Sequence, residues 1–246
     1  MLLAIDIGNT STKFGIFENK TLINRISFST VRTQTAEDIR SQTPVKSFQG
    51  IIISTVVPEL KNAYREFAEK FFDLKPIFVD NTFDFGLEIK YYPPENVGVD
   101  RIVAAYAAAE KYGKPCVVCD FGTATTIDAV NSKSEYLGGT ISPGIQTFSE
   151  ALFSKTSQLP KVEIEKPSSV FGNTTVKSIQ AGIYFGYIGL VDKIIVQMIE
   201  ELCESAKIVA TGGYAELIAE GSGKIETVDE NLMLEGLCSI YEKRFL

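Results

Sequence analysis

The sequence contains no histidine. That absence excludes Ser-His-Asp and Cys-His nucleophile activation, His-ligated zinc and the usual side-chain switch near neutral pH. Proton transfer must fall to carboxylates, Lys, Tyr or Cys. Cysteine is sparse, with only Cys116, Cys119, Cys203 and Cys238. This usage reads as reduced thiols in a cytoplasmic protein rather than a disulfide framework. Positive charge is also short: 24 Lys and Arg stand against 31 Asp and Glu, for a net charge of −7 and a pI near 4.9. A general basic footprint for nucleic acid is therefore missing. The opening Met1-Leu-Leu-Ala-Ile-Asp6 has neither a basic n-region nor a long apolar run, so no signal peptide is expected. The longest low-charge stretch, Ser178 to Val191, is broken by Gln180 and glycines and is too short to span a bilayer. The expectation is a soluble intracellular protein with no membrane and no nucleic-acid partner.

What is present suits a folded chain. With 246 residues, 45% hydrophobic and 22% charged, there is enough material for one large domain or two halves with substantial cores. Leu2 to Ile5, Phe14 to Phe17 and Leu22 to Phe28 read as three strands of an antiparallel meander, the first hairpin rich in Gly and Thr. Gln49 to Ser54 reads as a buried strand, Pro58 to about Phe72 as a helix, and Pro76 to Val79 as a further strand. Strands alternating with helices place the chain in the α/β class.

The second half repeats that order. Asp6-Ile-Gly-Asn-Thr-Ser-Thr-Lys13 follows the first strand, and Asp120-Phe-Gly-Thr-Ala-Thr-Thr126 follows the apolar Cys116 to Cys119, with 114 residues between the two aspartates. Ile127 to Val130 and Tyr136 to Ile141 continue the second meander, and Lys207 to Ala210 mirrors the strand at Ile51. Such duplication predicts two similar halves, 1–113 and 114–246, divided at the loop Lys111-Tyr-Gly-Lys-Pro115. Thr174 to Cys203 predicts a long helix, apolar on nearly all faces in its middle, with Gly182, Gly186 and Gly189 at helical spacing. A helix of that kind must be covered, and the small residues favour a dimer interface over a purely internal position.

Chemistry concentrates at the turns. A Gly just after a strand permits a tight hairpin, and the Thr/Ser-rich sequel offers N–H groups and hydroxyls to phosphate oxygens. The preceding Asp supplies a hard oxygen for a cation, and Lys13 adds positive charge. One Asp-x-Gly turn is an ordinary turn; two at matching positions point to phosphate handling. Thr211-Gly212-Gly213 before a helix would let an adenosine lie close to the backbone, which makes ATP the economical ligand. Asp100, leading into a helix over Ile102 to Tyr112, reads either as an N-cap with Arg101 an incidental surface charge, or as a carboxylate base with Arg101 holding an anionic group. Cys116 and Cys119 lie in an apolar strand and read as buried core thiols rather than a redox pair.

These motifs together resemble the type III pantothenate kinases, in the superfamily of acetate and sugar kinases, heat-shock ATPases and actin. The likeness runs the length of the chain: Asp6 to Lys13, Gly98-Val-Asp-Arg101, Asp120 to Thr126, Gly138-Gly-Thr-Ile-Ser-Pro-Gly144, Thr174-Thr175 and Ala210-Thr-Gly-Gly213. The resemblance implies an α/β fold of two duplicated ribonuclease-H-like (actin-like ATPase) domains, each a mixed sheet flanked by helices. It implies ATP-dependent phosphorylation of pantothenate, the first committed step of coenzyme A synthesis, in a homodimer that completes the site across its interface. By that likeness Asp6, Ile7, Gly8, Asn9, Thr10, Ser11, Thr12, Lys13 and Thr123 bind ATP, with Asp6 organising the Mg²⁺ shell. Asp120 holds a monovalent cation, K⁺ or NH₄⁺. Asp100 is the proton acceptor, and Tyr92, Gly98, Val99, Asp100, Arg101 and Thr175 contact pantothenate. Two other readings fit the residues: a nucleotide-binding accessory protein without kinase activity, or a kinase for another small hydroxylated substrate.

Overall fold

A computed structural model describes residues 1–44 and 46–245. The first meander is β1 (Leu2–Ile7), β2 (Ser11–Glu18) and β3 (Thr21–Ser29), followed by α1 (Ala36–Gln42) and β4 (Gly50–Thr55). Pro58–Leu60 forms a single 3₁₀ turn that leads into α2 (Lys61–Phe72), and β5 (Ile77–Phe78) follows. These strands make one sheet in the order β3-β2-β1-β4-β5. β1 pairs antiparallel with β2 and parallel with β4. Period-2 alternation sends Leu3, Ile5, Ile7, Phe14 and Ile16 into a core that they share with Ile39 of α1 and Tyr64 and Phe67 of α2.

The second sheet contains β6 (Glu88–Ile89), β7 (Cys116–Phe121), β8 (Ala124–Val130), β9 (Glu135–Pro143), β10 (Lys207–Thr211) and β11 (Thr227–Val228). Its order is β11-β10-β7-β8-β9-β6. Set aside β6, and each sheet runs third, second, first, fourth, fifth strand, with the same senses of pairing. The duplication therefore extends to topology, while the second hairpin is one residue tighter, closed from Gly122 N to Ala124 O where the first is closed from Gly8 N to Ser11 O. Asp6 lies opposite Lys13 on one side and Ser54 on the other; Asp120 lies opposite Thr126 and Thr211.

The remaining helices are α3 (Val99–Tyr112), α4 (Ile145–Lys155), α5 (Thr175–Leu202), α6 (Ala215–Ala219) and α7 (Leu232–Phe245). The chain divides into two compact units that are not contiguous in sequence. One comprises Met1–Gly86, Tyr92–Ala107 and Asn231–Leu246, and the other Leu87–Tyr91 and Ala108–Glu230. A single cut at 113/114 differs from this division in three stretches, 87–91, 108–113 and 231–246. α7 packs on β1, β2 and β4, while β6 adds to the edge of the second sheet beside β9.

α5 is about 42 Å long at 1.5 Å per residue. Thr174 caps it by accepting from Lys177 N at 3.2 Å, and Cys203 ends it in the left-handed conformation. Length and composition alone would let this helix cross a bilayer, which corrects the expectation that the apolar stretch is too short. In this molecule one of its faces packs on the second sheet through Ile183, Tyr187, Val191 and Ile195. Cys116 and Cys119, on opposite faces of β7, are both buried because the strand is covered on both sides, and burial pushes the Cys116 thiol up to about 12.

Candidate active site

The first loop is a hairpin tip fixed on several sides. Gly8 N donates to Ser11 O at 3.0 Å, Thr30 N to Thr10 O at 2.9 Å and Thr30 Oγ1 to Gly8 O at 2.8 Å. Ile7 and Thr12 are fully buried and lie opposite each other across β1 and β2. The Thr12 hydroxyl meets that of Thr30 at 2.9 Å, near the Tyr64 phenol that burial pushes up to about 12. Asp6 and Lys13, half-buried and directly opposite, lie on the other face of the sheet from this core. Asn9 and Thr10 are exposed at the tip, and Ser11 is half-buried. Ser54, beside Asp6 in the parallel strand, is fully buried and its hydroxyl has no hydrogen-bond partner among the described residues. A buried hydroxyl in that condition is a polar position waiting for water or a ligand oxygen.

The second loop is built alike. Gly122 N donates to Ala124 O at 3.2 Å, and Thr123 O accepts from Gly144 N at 3.0 Å and Thr147 Oγ1 at 2.9 Å. Gly212, after β10, has φ +97°, and a Cβ there would lie 2.6 Å from both Asp120 Oδ1 and Phe121 N. Only glycine lets the two strand ends approach this closely while adopting that conformation. The Thr211-Gly212-Gly213 turn then enters α6, with Tyr214 OH donating to Gln146 Oε1 at 3.0 Å.

Asp100 sits in the first turn of α3, not at its cap, because the helix begins at Val99. Gly98 supplies the accepting carbonyl for Arg101 N at 3.1 Å and Ile102 N at 3.3 Å. The Asp100 carboxylate folds back over Gly98, where a Cβ would stand 2.5 Å from Oδ1, and Oδ1 accepts from Arg101 N at 2.9 Å. Arg101 is 6% exposed. The surface-charge reading of Arg101 therefore fails, since a guanidinium is seldom buried without a structural or binding purpose. Asn81 clamps the Pro94–Asn96 turn that delivers this segment, donating to Glu95 O at 3.0 Å and Val97 O at 2.6 Å. Tyr92 is 94% exposed, and Thr175 is the exposed first residue of α5. Val99 is buried.

The structure thus gathers Asp6 to Lys13 around one hairpin, Gly98 to Arg101 at one helix start, and Asp120, Thr123 and the Gly212 turn at matching strand ends. The sequence reading missed Thr30, Ser54, Asn81 and Thr147. Each acts by contact across the fold, and no local pattern marks it.

The sequence pattern of the type III pantothenate kinase family matches residues 2–197. The chain belongs to that family. The Koribacter versatilis type III pantothenate kinase is 45% identical over 99% of this chain and 96% of its own length. The Syntrophus aciditrophicus type III pantothenate kinase is 43% identical over 99% of both chains. Members of the family are phosphotransferases that phosphorylate pantothenate with ATP on the route to coenzyme A, and this chain is an enzyme of that kind. Solved structures agree on the fold. A Campylobacter jejuni protein described as a candidate Baf family transcriptional activator aligns with TM-score 0.65 at 22% identity, covering 98% of each chain. A candidate 2-dehydro-3-deoxygalactonokinase from Sinorhizobium meliloti aligns with TM-score 0.59 at 13% identity, covering 100% of this chain and 97% of its own. The two sheets of this chain share one strand order.

Proposed function

We propose that Asp100 is the base that accepts the proton of the pantothenate primary hydroxyl as the γ-phosphoryl group of ATP is transferred to it, giving 4'-phosphopantothenate. The placement of its carboxylate supports this: it folds over Gly98 at a helix start, with the buried Arg101 next in sequence. In a chain without histidine, a carboxylate is a suitable acceptor for that proton. Gly98, Val99, Arg101, Tyr92 and Thr175 contact pantothenate, Arg101 through its anionic end. Asp6 to Lys13 bind the phosphates of ATP, and Thr123 also touches the nucleotide.

Asp6 and Asp120 offer the hard carboxylate oxygens that Mg²⁺ and a monovalent cation take. Among the described residues no group of three His, Cys, Asp or Glu could hold a metal. That fits a divalent ion held by one carboxylate and substrate phosphates rather than by a protein cage. Asp6 organises the Mg²⁺ shell and Asp120 holds K⁺ or NH₄⁺; when bound, these ions offset charge on the phosphates.

The enzyme works in the cytoplasm as a homodimer with no nucleic-acid or membrane partner, its site completed at the interface. A groove of about 590 Å³ between α4 and α5 supports the dimer, with Leu152, Gly182, Gly186 and Tyr187 among its lining. A Cβ added at Gly182, Gly186 or Gly189 would meet nothing within 4 Å. The test is ADP release with MgATP and pantothenate in K⁺ and in Na⁺ buffers. Pantothenate-dependent turnover only in K⁺ is expected. Turnover with other hydroxy compounds but not pantothenate would discard the substrate, and equal turnover in Na⁺ would discard the cation.

A further inference from the structure

The first loop is braced by the stretch that follows β3, and one side chain there does more than brace. Two residues beyond Thr30, Arg32 Nη2 donates to Asn9 Oδ1 at 2.9 Å, while Nη1 bonds the Glu59 carboxylate. A guanidinium carries donors and no acceptor, so it can face only the oxygen end of the Asn9 amide. The orientation of an exposed amide is otherwise open, because oxygen and nitrogen have nearly the same shape. Turned the wrong way, Asn9 would present a carbonyl oxygen to a phosphate and repel it. Held by Arg32, it presents the two N–H bonds of Nδ2 instead. Glu59 holds the guanidinium in turn, at the start of the 3₁₀ turn before α2.

We infer that Arg32 is a positioning residue for ATP binding, which fixes the Asn9 amide so that Nδ2 donates to the nucleotide phosphates. The inference rests on the reading that the first loop takes those phosphates. It belongs to this loop alone: at the matching position of the second loop stands Thr123, held through its backbone oxygen by Gly144 and Thr147.

The test measures MgATP affinity calorimetrically, which needs no turnover, for wild type, Arg32→Ala, Asn9→Ala, the double variant and Arg32→Lys. Loss of a charge-assisted hydrogen bond is worth about tenfold. Arg32→Ala and Asn9→Ala should each weaken binding by about that factor, and the double variant should be no weaker than either. Arg32→Lys keeps a head group with donors and no acceptor for Asn9 Oδ1 and should recover most of the affinity. In turnover, Arg32→Ala should raise KM for ATP and leave KM for pantothenate unchanged. Losses that multiply in the double variant, affinity of Arg32→Ala equal to wild type, or Arg32→Lys as weak as Arg32→Ala would overturn the inference. A wild type that binds no MgATP would overturn the phosphate-loop reading itself and the inference with it, a result distinct from a wild type that binds while Arg32→Ala binds equally well.

Discussion

At the scale of single residues, the proposed base depends on how one carboxylate is held. Asp100 bends over Gly98 because that residue has no Cβ, and Arg101 N donates to its Oδ1. Asp100→Asn keeps the shape and removes the proposed base, so kcat should fall about 10²–10⁴-fold while MgATP affinity is unchanged. A variant within a factor of a few of wild type would remove Asp100 from that role. Gly98→Ala should lower kcat by displacing the same carboxylate, again with MgATP binding intact in calorimetry. Asp120→Ala should abolish the response of turnover to K⁺; an unchanged response would reassign the cation. Residue types were legible in the sequence at all three positions. Their settings were not: that Arg101 is buried, and that Asp100 lies inside the helix, depends on what packs around the start of α3.

At the scale of elements, the two Asp-x-Gly hairpins were readable because strand periodicity and turn residues are local properties. The structure returns both, with the aspartates at matching strand ends and the second hairpin one residue shorter between paired positions. The long helix was readable over Thr174 to Cys203 for the same reason, and the structure adds the cap at Thr174 and the left-handed end at Cys203. Hydropathy could not say which of its apolar faces meets the sheet, since that choice is made by the partner. Ile195 is fully buried in that contact, and Ile195→Ala should destabilise the fold by about 2–5 kcal/mol through lost burial and a residual cavity, read from chemical denaturation. Thr174→Ala removes only a cap and should cost about 1 kcal/mol. If both variants cost the same, α5 would owe its stability to its end rather than to its face.

At the scale of the whole molecule, sequence order and spatial order part company. α7 closes the chain yet packs on the first sheet, and β6 precedes α3 yet pairs in the second. An amphipathic helix or a two-residue strand carries no mark of the sheet it joins, so the simple division at 113/114 could not foresee either exchange. Composition, in contrast, governs a property of the entire chain: with no histidine, no side chain of ordinary pKa titrates between the carboxylates and the thiols. Burial pushes the Cys116 and Cys238 thiols and the Tyr64 phenol up to about 12, from 9.0 for the thiols and 10.0 for the phenol, and shifts Cys119 upward as well. Above pH 9 the unfolded chain therefore loses protons that the folded chain retains, and stability must fall as pH rises from 9 toward 12. Ion-paired Lys20, Lys70 and Lys90, raised chiefly by hydrogen bonds to Glu242, Glu37 and Glu88, act in the same direction at the upper end of that range. On the acid side, Asp38 and Asp80 are lowered by bonds to Thr35 and Thr82, so their contribution holds above the ordinary carboxylate range and is lost as pH falls below about 4. Thermal midpoints recorded under reducing conditions should stay level from pH 6 to 8 and drop steadily above 9. A decline within the neutral interval would require a titrating group that this chain does not have in ordinary form, and would point to a strongly displaced carboxylate or thiol in the folded state.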